Sequence, residues 1–104
     1  MLDVTAQNYN KEIENSKIPV VIDFWAEWCK ACKMFMPIVQ EIEKTYVGKV
    51  KFVKINVEDF PEIASKFCVT SLPTILLMNN GFPVDSSIGS ITKNKLIAFI
   101  DKNL

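Results

Sequence analysis

Two cysteines three residues apart, Cys29 and Cys32, sit in the stretch Trp25-Ala26-Glu27-Trp28-Cys29-Lys30-Ala31-Cys32-Lys33. Residues i and i+3 of a helix share one side of a turn, so this spacing lets the two sulfurs bond to each other within a first turn. The backbone N–H groups of such a turn have no partner inside the helix and favour an anion in front of them. Cys29 is thereby placed to be a thiolate, the form that attacks disulfides. Cys32, deeper along the helix, is placed to resolve the mixed disulfide that Cys29 first forms. The competing readings are a permanent disulfide and half of a metal site. A bridge this short closes almost no loop and stabilises a chain little. A zinc site takes four ligands, and the chain supplies no His and only one other cysteine, Cys68. The pattern therefore reads as a reversible dithiol–disulfide couple, with no metal.

The elements on either side must hold that pair in place. Ahead of it, Pro19 opens the strand Val20–Trp25, whose near-continuous apolar character suits a central parallel strand buried on both faces. Asp23 is the exception. A carboxylate there is either at a partly wet position or a buried acid behind the cysteines, since burial without purpose or partner is costly. In the second case burial raises its pKa and makes it a proton acceptor for Cys32 near neutral pH. Behind the cysteines, Phe35, Ile38, Val39, Ile42 and Tyr46 form an apolar helical stripe, interrupted by Pro37 and closed by Gly48.

Along the rest of the chain, Leu2 and Val4 suit a short edge strand, and Thr5 an N-cap for a helix over 6–15, with Tyr9 and Ile13 on one face. Lys51–Val57 alternates as a strand, with Lys54 a solvated lysine on pattern alone. Asp59 is the expected cap of a short helix with Pro61 in its first turn and Ile63, Ala64 and Phe67 inward. Cys68 reads as a small buried hydrophobe, with a second, regulatory thiol as the alternative. Asn79-Asn80-Gly81 is a hairpin signal joining Ile75–Met78 to Val84–Ile88, and Thr92 caps a last helix with Leu96, Phe99 and Ile100 inward.

Over nearly its whole length the chain resembles the thioredoxin family. The likeness rests on Val21-Ile22-Asp23-Phe24-Trp25-Ala26-Glu27-Trp28-Cys29, Cys32-Lys33-Met34, Pro37, Ser71-Leu72-Pro73-Thr74, Asn80-Gly81 and Gly89, in the family's order and spacing. It implies an α/β thioredoxin fold over a single domain, 1–104, with a central mixed β-sheet flanked by helices on both faces. It also implies the proton-handling role for Asp23, a tuning role for Lys54 near Asp23, and a cis bond before Pro73 packed across from the cysteines. Such a bond leaves the Leu72 backbone free to pair with an extended substrate segment and keeps metals from the pair. Trp28, Leu72, Pro73, Ile88 and Gly89 are the expected docking face, with Trp25 the better core residue. The family's usual dipeptide between the cysteines is Gly-Pro; here it is Lys30-Ala31. A cation beside Cys29 favours the thiolate, and loss of Pro at position 31 returns an N–H able to reach a sulfur. Both push the reduction potential somewhat above the roughly −270 mV typical of thioredoxin, with the couple still reducing.

Composition excludes several other classes. Twelve basic and twelve acidic residues in 104 give a net charge of zero, and no basic tract points to nucleic acid or an acidic membrane. No run approaches the roughly 18 apolar residues of a membrane span, and Met1-Leu2-Asp3-Val4-Thr5 lacks the features of a signal peptide. The expectation is a cytoplasmic, monomeric protein-disulfide reductase with no bound cofactor. The resemblance supplies its partners: disulfide-containing substrate proteins and a thioredoxin reductase, a flavoprotein drawing on NADPH. The alternatives are an oxidase or isomerase with a more oxidising couple, favoured by Lys30-Ala31, and a redox-independent binding subunit.

Overall fold

The most apolar run of the chain becomes the middle of its sheet. In the computed structural model, which describes residues 1–104, five strands stand in the order β1-β3-β2-β4-β5: β1 Leu2–Asp3, β2 Val20–Trp25, β3 Lys51–Asn56, β4 Thr74–Asn79 and β5 Phe82–Ile88. The central strand β2 runs parallel to β3 and antiparallel to β4. Val20 through Phe24 are all buried, as expected for a strand covered on both faces. The sheet is therefore mixed, and β1 completes one edge by pairing with β3 in parallel.

Alternation along β2 splits the interior in two. Val21 joins Phe52, Ile75 and Leu77 under α1 (Lys30–Glu43) and α3 (Lys93–Lys102), which contribute Phe35, Val39 and Ile42, and Leu96, Phe99 and Ile100. Val20, Ile22 and Phe24 join Val53, Ile55, Leu76 and Met78 on the other face, covered by Tyr9, Ile13 and Ile63 of the N-terminal segment and α2 (Pro61–Lys66). Helices on both faces of a mixed sheet is the architecture the resemblance implies.

Local signals explain most of the boundaries. The β4–β5 turn puts Asn80 at φ 53° and Gly81 at φ 81°, the two positive φ values of a type I′ hairpin. Thr92 Oγ1 accepts from the Lys95 N–H at 3.2 Å and caps α3. Pro37 lies inside α1, and a short 3-10 turn, Lys44–Tyr46, carries the chain on to Gly48.

Three expectations are corrected. The helix expected over 6–15 is a turn followed by a π-helical segment, Asn10–Glu14; the Thr5 carbonyl accepts from Tyr9, but the capping side chain is Asn8, whose Oδ1 accepts from the Thr5 N–H at 2.7 Å. The N-cap of α2 is Phe60, not Asp59. Asn56 Oδ1 accepts from the Glu58 and Asp59 N–H groups, so Asp59 closes a turn, the helix starts one residue later than expected and Pro61 takes the first helical position. Cys68 is exposed rather than a buried hydrophobe. It sits at φ 57° at the end of α2, where its N–H donates to the Ser65 carbonyl and that of Val69 to the Ala64 carbonyl. These are the two bonds of a Schellman motif, and Cys68 occupies its left-handed position, the one usually given to glycine.

Candidate active site

The redox pair sits where the central strand hands over to α1. After Trp25 the chain turns so that the Cys29 N–H donates to the Ala26 carbonyl at 3.1 Å. Cys29 is the N-cap of α1 in extended backbone, and its Sγ accepts from the Cys32 N–H at 3.1 Å. Cys29 and Cys32 are joined by a disulfide, with Cα atoms 5.3 Å apart. Access is unequal: Cys29 is 6% exposed and Cys32 fully buried. Lys30 and Ala31 are both on the solvent side of the first turn. The N–H that reaches a sulfur is that of Cys32, not that of Ala31. Nearby, Lys33 and Glu27 pair with each other at 2.8 Å.

Asp23 lies two residues beyond Val21 on the strand face that α1 covers. It has no solvent exposure, and neither carboxylate oxygen has a hydrogen-bond partner. Burial pushes its pKa from 3.8 up to about 7, against a smaller downward pull from the Lys54 charge. Lys54 is its register partner on β3. The ammonium, however, lies 3.6 Å from Asp3 Oδ1 and 5.3 Å from the centre of the Trp25 ring. Lys54 is thus a partly buried member of a charged row and not a freely solvated lysine. Trp25 is half-buried, packs against the cysteines together with Val57 and Leu72, and holds its Nε1 buried without a partner.

The remaining candidates converge from the other end of the sheet. The Leu72–Pro73 bond is cis. Leu72 packs on the cysteine pair, and its backbone N–H and C=O make no hydrogen bond within the chain. Pro73 is buried, and its carbonyl accepts from the Gly89 N–H at 2.8 Å. Ile88 pairs with Thr74 in the β4–β5 register and is 69% exposed. Trp28, also 69% exposed, lines a cleft of about 280 Å³ with Val57, Val69, Thr70, Ser71 and Leu72. Val57 and Asp3 are the site's members that the sequence alone did not single out. Val57 reads in the sequence as the last residue of the strand Lys51–Val57, whereas β3 ends at Asn56, and Asp3 reaches the site only through Lys54, by strand register.

A disulfide between an N-cap cysteine and a buried partner one turn on, across from a cis-proline on a sheet of this order, defines a thiol–disulfide oxidoreductase of thioredoxin fold. The comparisons agree. The chain belongs to the thioredoxin family: the family model described as Thioredoxin matches residues 1–102. It is similar to the thioredoxin of Rickettsia felis, 45% identical over 102 residues that cover 98% of this chain and 97% of that protein. The thioredoxin of Rickettsia bellii is 43% identical with the same coverage. Thioredoxin 1 of a Nostoc species is 39% identical over 101 residues, 97% of this chain and 94% of its own. As in its family, the redox centre is the disulfide itself, and the activity is reduction of disulfide substrates. No helix is long and apolar enough to cross a membrane.

Proposed function

We propose that this single domain, 1–104, is a general protein-disulfide reductase in which Cys29 is the nucleophile, Cys32 the resolving thiol and Asp23 the proton acceptor. The reading rests on one observation above others: Cys29 Sγ accepts the Cys32 amide at the start of α1, while Cys32 itself has no exposure. The outer sulfur is held where an anion is favoured, and the inner one is reachable only from within.

In the reduced form the Cys29 thiolate attacks one sulfur of a substrate disulfide. That bond breaks, the substrate's other sulfur leaves as a thiolate and takes a proton, and a Cys29–substrate mixed disulfide forms. The Cys32 thiol then passes its proton to the Asp23 carboxylate and attacks Cys29 Sγ. The Cys29–Cys32 disulfide closes and the second substrate sulfur leaves. Two electrons and two protons reach the substrate, which leaves as a dithiol.

Trp28, Leu72, Pro73, Ile88 and Gly89 form the face that receives the substrate, with the unpaired Leu72 backbone offering strand-like hydrogen bonds to an extended segment. Lys30, Ala31, Lys54 and Pro73 adjust the couple. A thioredoxin reductase, a flavoprotein carrying electrons from NADPH, returns the disulfide to the dithiol. The protein works as a monomer in the cytoplasm.

Trapping tests the assignment. A Cys32→Ser variant should accumulate a mixed disulfide with a disulfide-bonded protein substrate through Cys29, and a Cys29→Ser variant should accumulate none. Trapping through Cys32 in the second variant would reverse the roles.

A further inference from the structure

We propose that Asp3 is a positioning residue: from the sheet edge it draws the Lys54 ammonium away from Asp23 and so sets how readily Asp23 gives and takes its proton. The inference rests on the reading of Asp23 as the proton-handling acid.

The geometry begins with register. Asp3 pairs with Lys54 across β1 and β3, and Lys54 pairs with Asp23 across β3 and β2. Paired positions on adjacent parallel strands project to the same face, so one cation stands between two carboxylates. Strands are about 4.8 Å apart, which puts the two acids about 10 Å from each other at the backbone. Nζ is 3.6 Å from Asp3 Oδ1, while both oxygens of Asp23 are without a hydrogen-bond partner.

The asymmetry has a physical cause. The Asp3 side chain is 69% exposed and that of Lys54 22%, whereas Asp23 is sealed from solvent. An ammonium on a flexible stem settles where it keeps both a counter-ion and water. Asp3 offers both, and the Trp25 ring, 5.3 Å away, supports the cation from the interior side.

The other charges packed at this face, the Met1 ammonium and Glu43 of α1, pair with each other at 3.3 Å. The partner of Asp23 on β4 is Ile75. The covering helix α1 buries Cys32, Phe35, Val39 and Ile42, of which only Cys32 is titratable, and that sulfur is in the disulfide. The residues of α3 packed on this face are Leu96, Phe99 and Ile100. With the Met1 ammonium already paired, Lys54 is the cation that favours the Asp23 carboxylate, and Asp3 competes for it. Removing the Asp3 charge acts twice in one direction. It takes away a negative charge from the row, and it releases the ammonium to turn toward Asp23.

The test is the titration of the Asp23 carboxyl carbon by NMR, in the disulfide form so that neither active-site thiol titrates alongside it. Asp3→Asn should move the midpoint down by about half a unit, the size expected of a partly screened ion pair. Asp3→Glu, which keeps the charge, should restore most of the wild-type value. In a Lys54→Met background Asp3→Asn should move the midpoint by much less, because the shared partner is gone. An unchanged midpoint in Asp3→Asn, or a rise, overturns the proposal; a rise would mean that Asp3 anchors Lys54 near Asp23. A wild-type Asp23 that titrates in the ordinary carboxylate range overturns the proton-handling reading as well. A neutral-range titration insensitive to Asp3 overturns this proposal alone.

Discussion

The Cys32 amide donates to Cys29 Sγ across 3.1 Å. The first turn of α1 therefore aims a backbone dipole at the atom proposed to carry the negative charge once the pair is reduced. A hydrogen bond to an anion is stronger than one to a neutral acceptor, so this contact favours the dithiol state. Lys30 adds a cation to the same turn from a solvent-exposed position, where screening keeps its effect small. Replacing Lys30-Ala31 by Gly-Pro should lower the reduction potential by roughly 15–30 mV, equivalent to about half to one pK unit on the thiolate. Equilibration against glutathione or a reference dithiol measures it. A potential unchanged or raised in the double variant would remove Lys30-Ala31 as the cause of any oxidising bias, and a wild-type value near −120 to −200 mV would point toward oxidation or isomerisation.

Asp23 gives the protein a stability that depends on pH in a direction opposite to that of a salt-bridged acid. Its pKa is 3.8 as a free group and about 7 in the fold. Between these values the native state holds a proton that the unfolded state has lost, so stability falls as pH rises through that window and levels off above it. The whole loss is on the order of 4 kcal/mol. Asp23→Asn removes it. Urea denaturation of the disulfide forms should find the variant more stable than wild type at pH 8 by an amount approaching that figure, with the gap closing toward pH 4. A constant gap across the range would mean that the carboxyl ionises as freely in the fold as outside it.

What the sequence could announce was local. Val20–Trp25 announces itself by an apolar run, the β4–β5 turn by Asn80-Gly81, and the start of α3 by Thr92, because each signal lies within a few residues of the feature it makes. Cys29 and Cys32 belong to the same group. What stayed hidden depends on register or on a single backbone angle. Nothing near Asp3 in the chain tells that it sits one strand from Lys54. Asp59 is the better cap by residue type, but Asn56 bonds the turn first and leaves Phe60 at the helix start. The exposure of Cys68 is hidden because Cys68 is itself the left-handed residue, and its side-chain direction is set by the Schellman bonds and not by the helix before it.

Trp28 separates docking from folding. With 69% of its surface exposed, it contributes little to the core, and Trp28→Ala should change stability by no more than about 0.5 kcal/mol. An exposed aromatic beside the proposed nucleophile is the residue type that anchors partners. The kcat/KM for a folded protein disulfide should fall about tenfold, equivalent to roughly 1.4 kcal/mol. Steady-state reduction of insulin or a comparable protein checks it. A large loss of stability with unchanged kcat/KM would assign Trp28 to packing.

Cys68 is the position where a substitution should strengthen the fold. At φ 57° a side chain meets its own backbone, a cost of roughly 1 kcal/mol that glycine avoids. Glycine loses more freedom on folding, but at the left-handed position of a Schellman motif it is the preferred residue, so the balance favours it. Cys68→Gly should stabilise the chain by about 0.5–1 kcal/mol, read as a higher urea midpoint at unchanged slope. The same exposure makes a chemical prediction. In the native disulfide form, iodoacetamide should label one thiol per chain and that thiol should be Cys68, since Cys29 and Cys32 are bonded to each other. Slow labelling that required denaturant would place the Cys68 side chain inside the fold, where the packing lost on Cys68→Gly would offset the backbone gain.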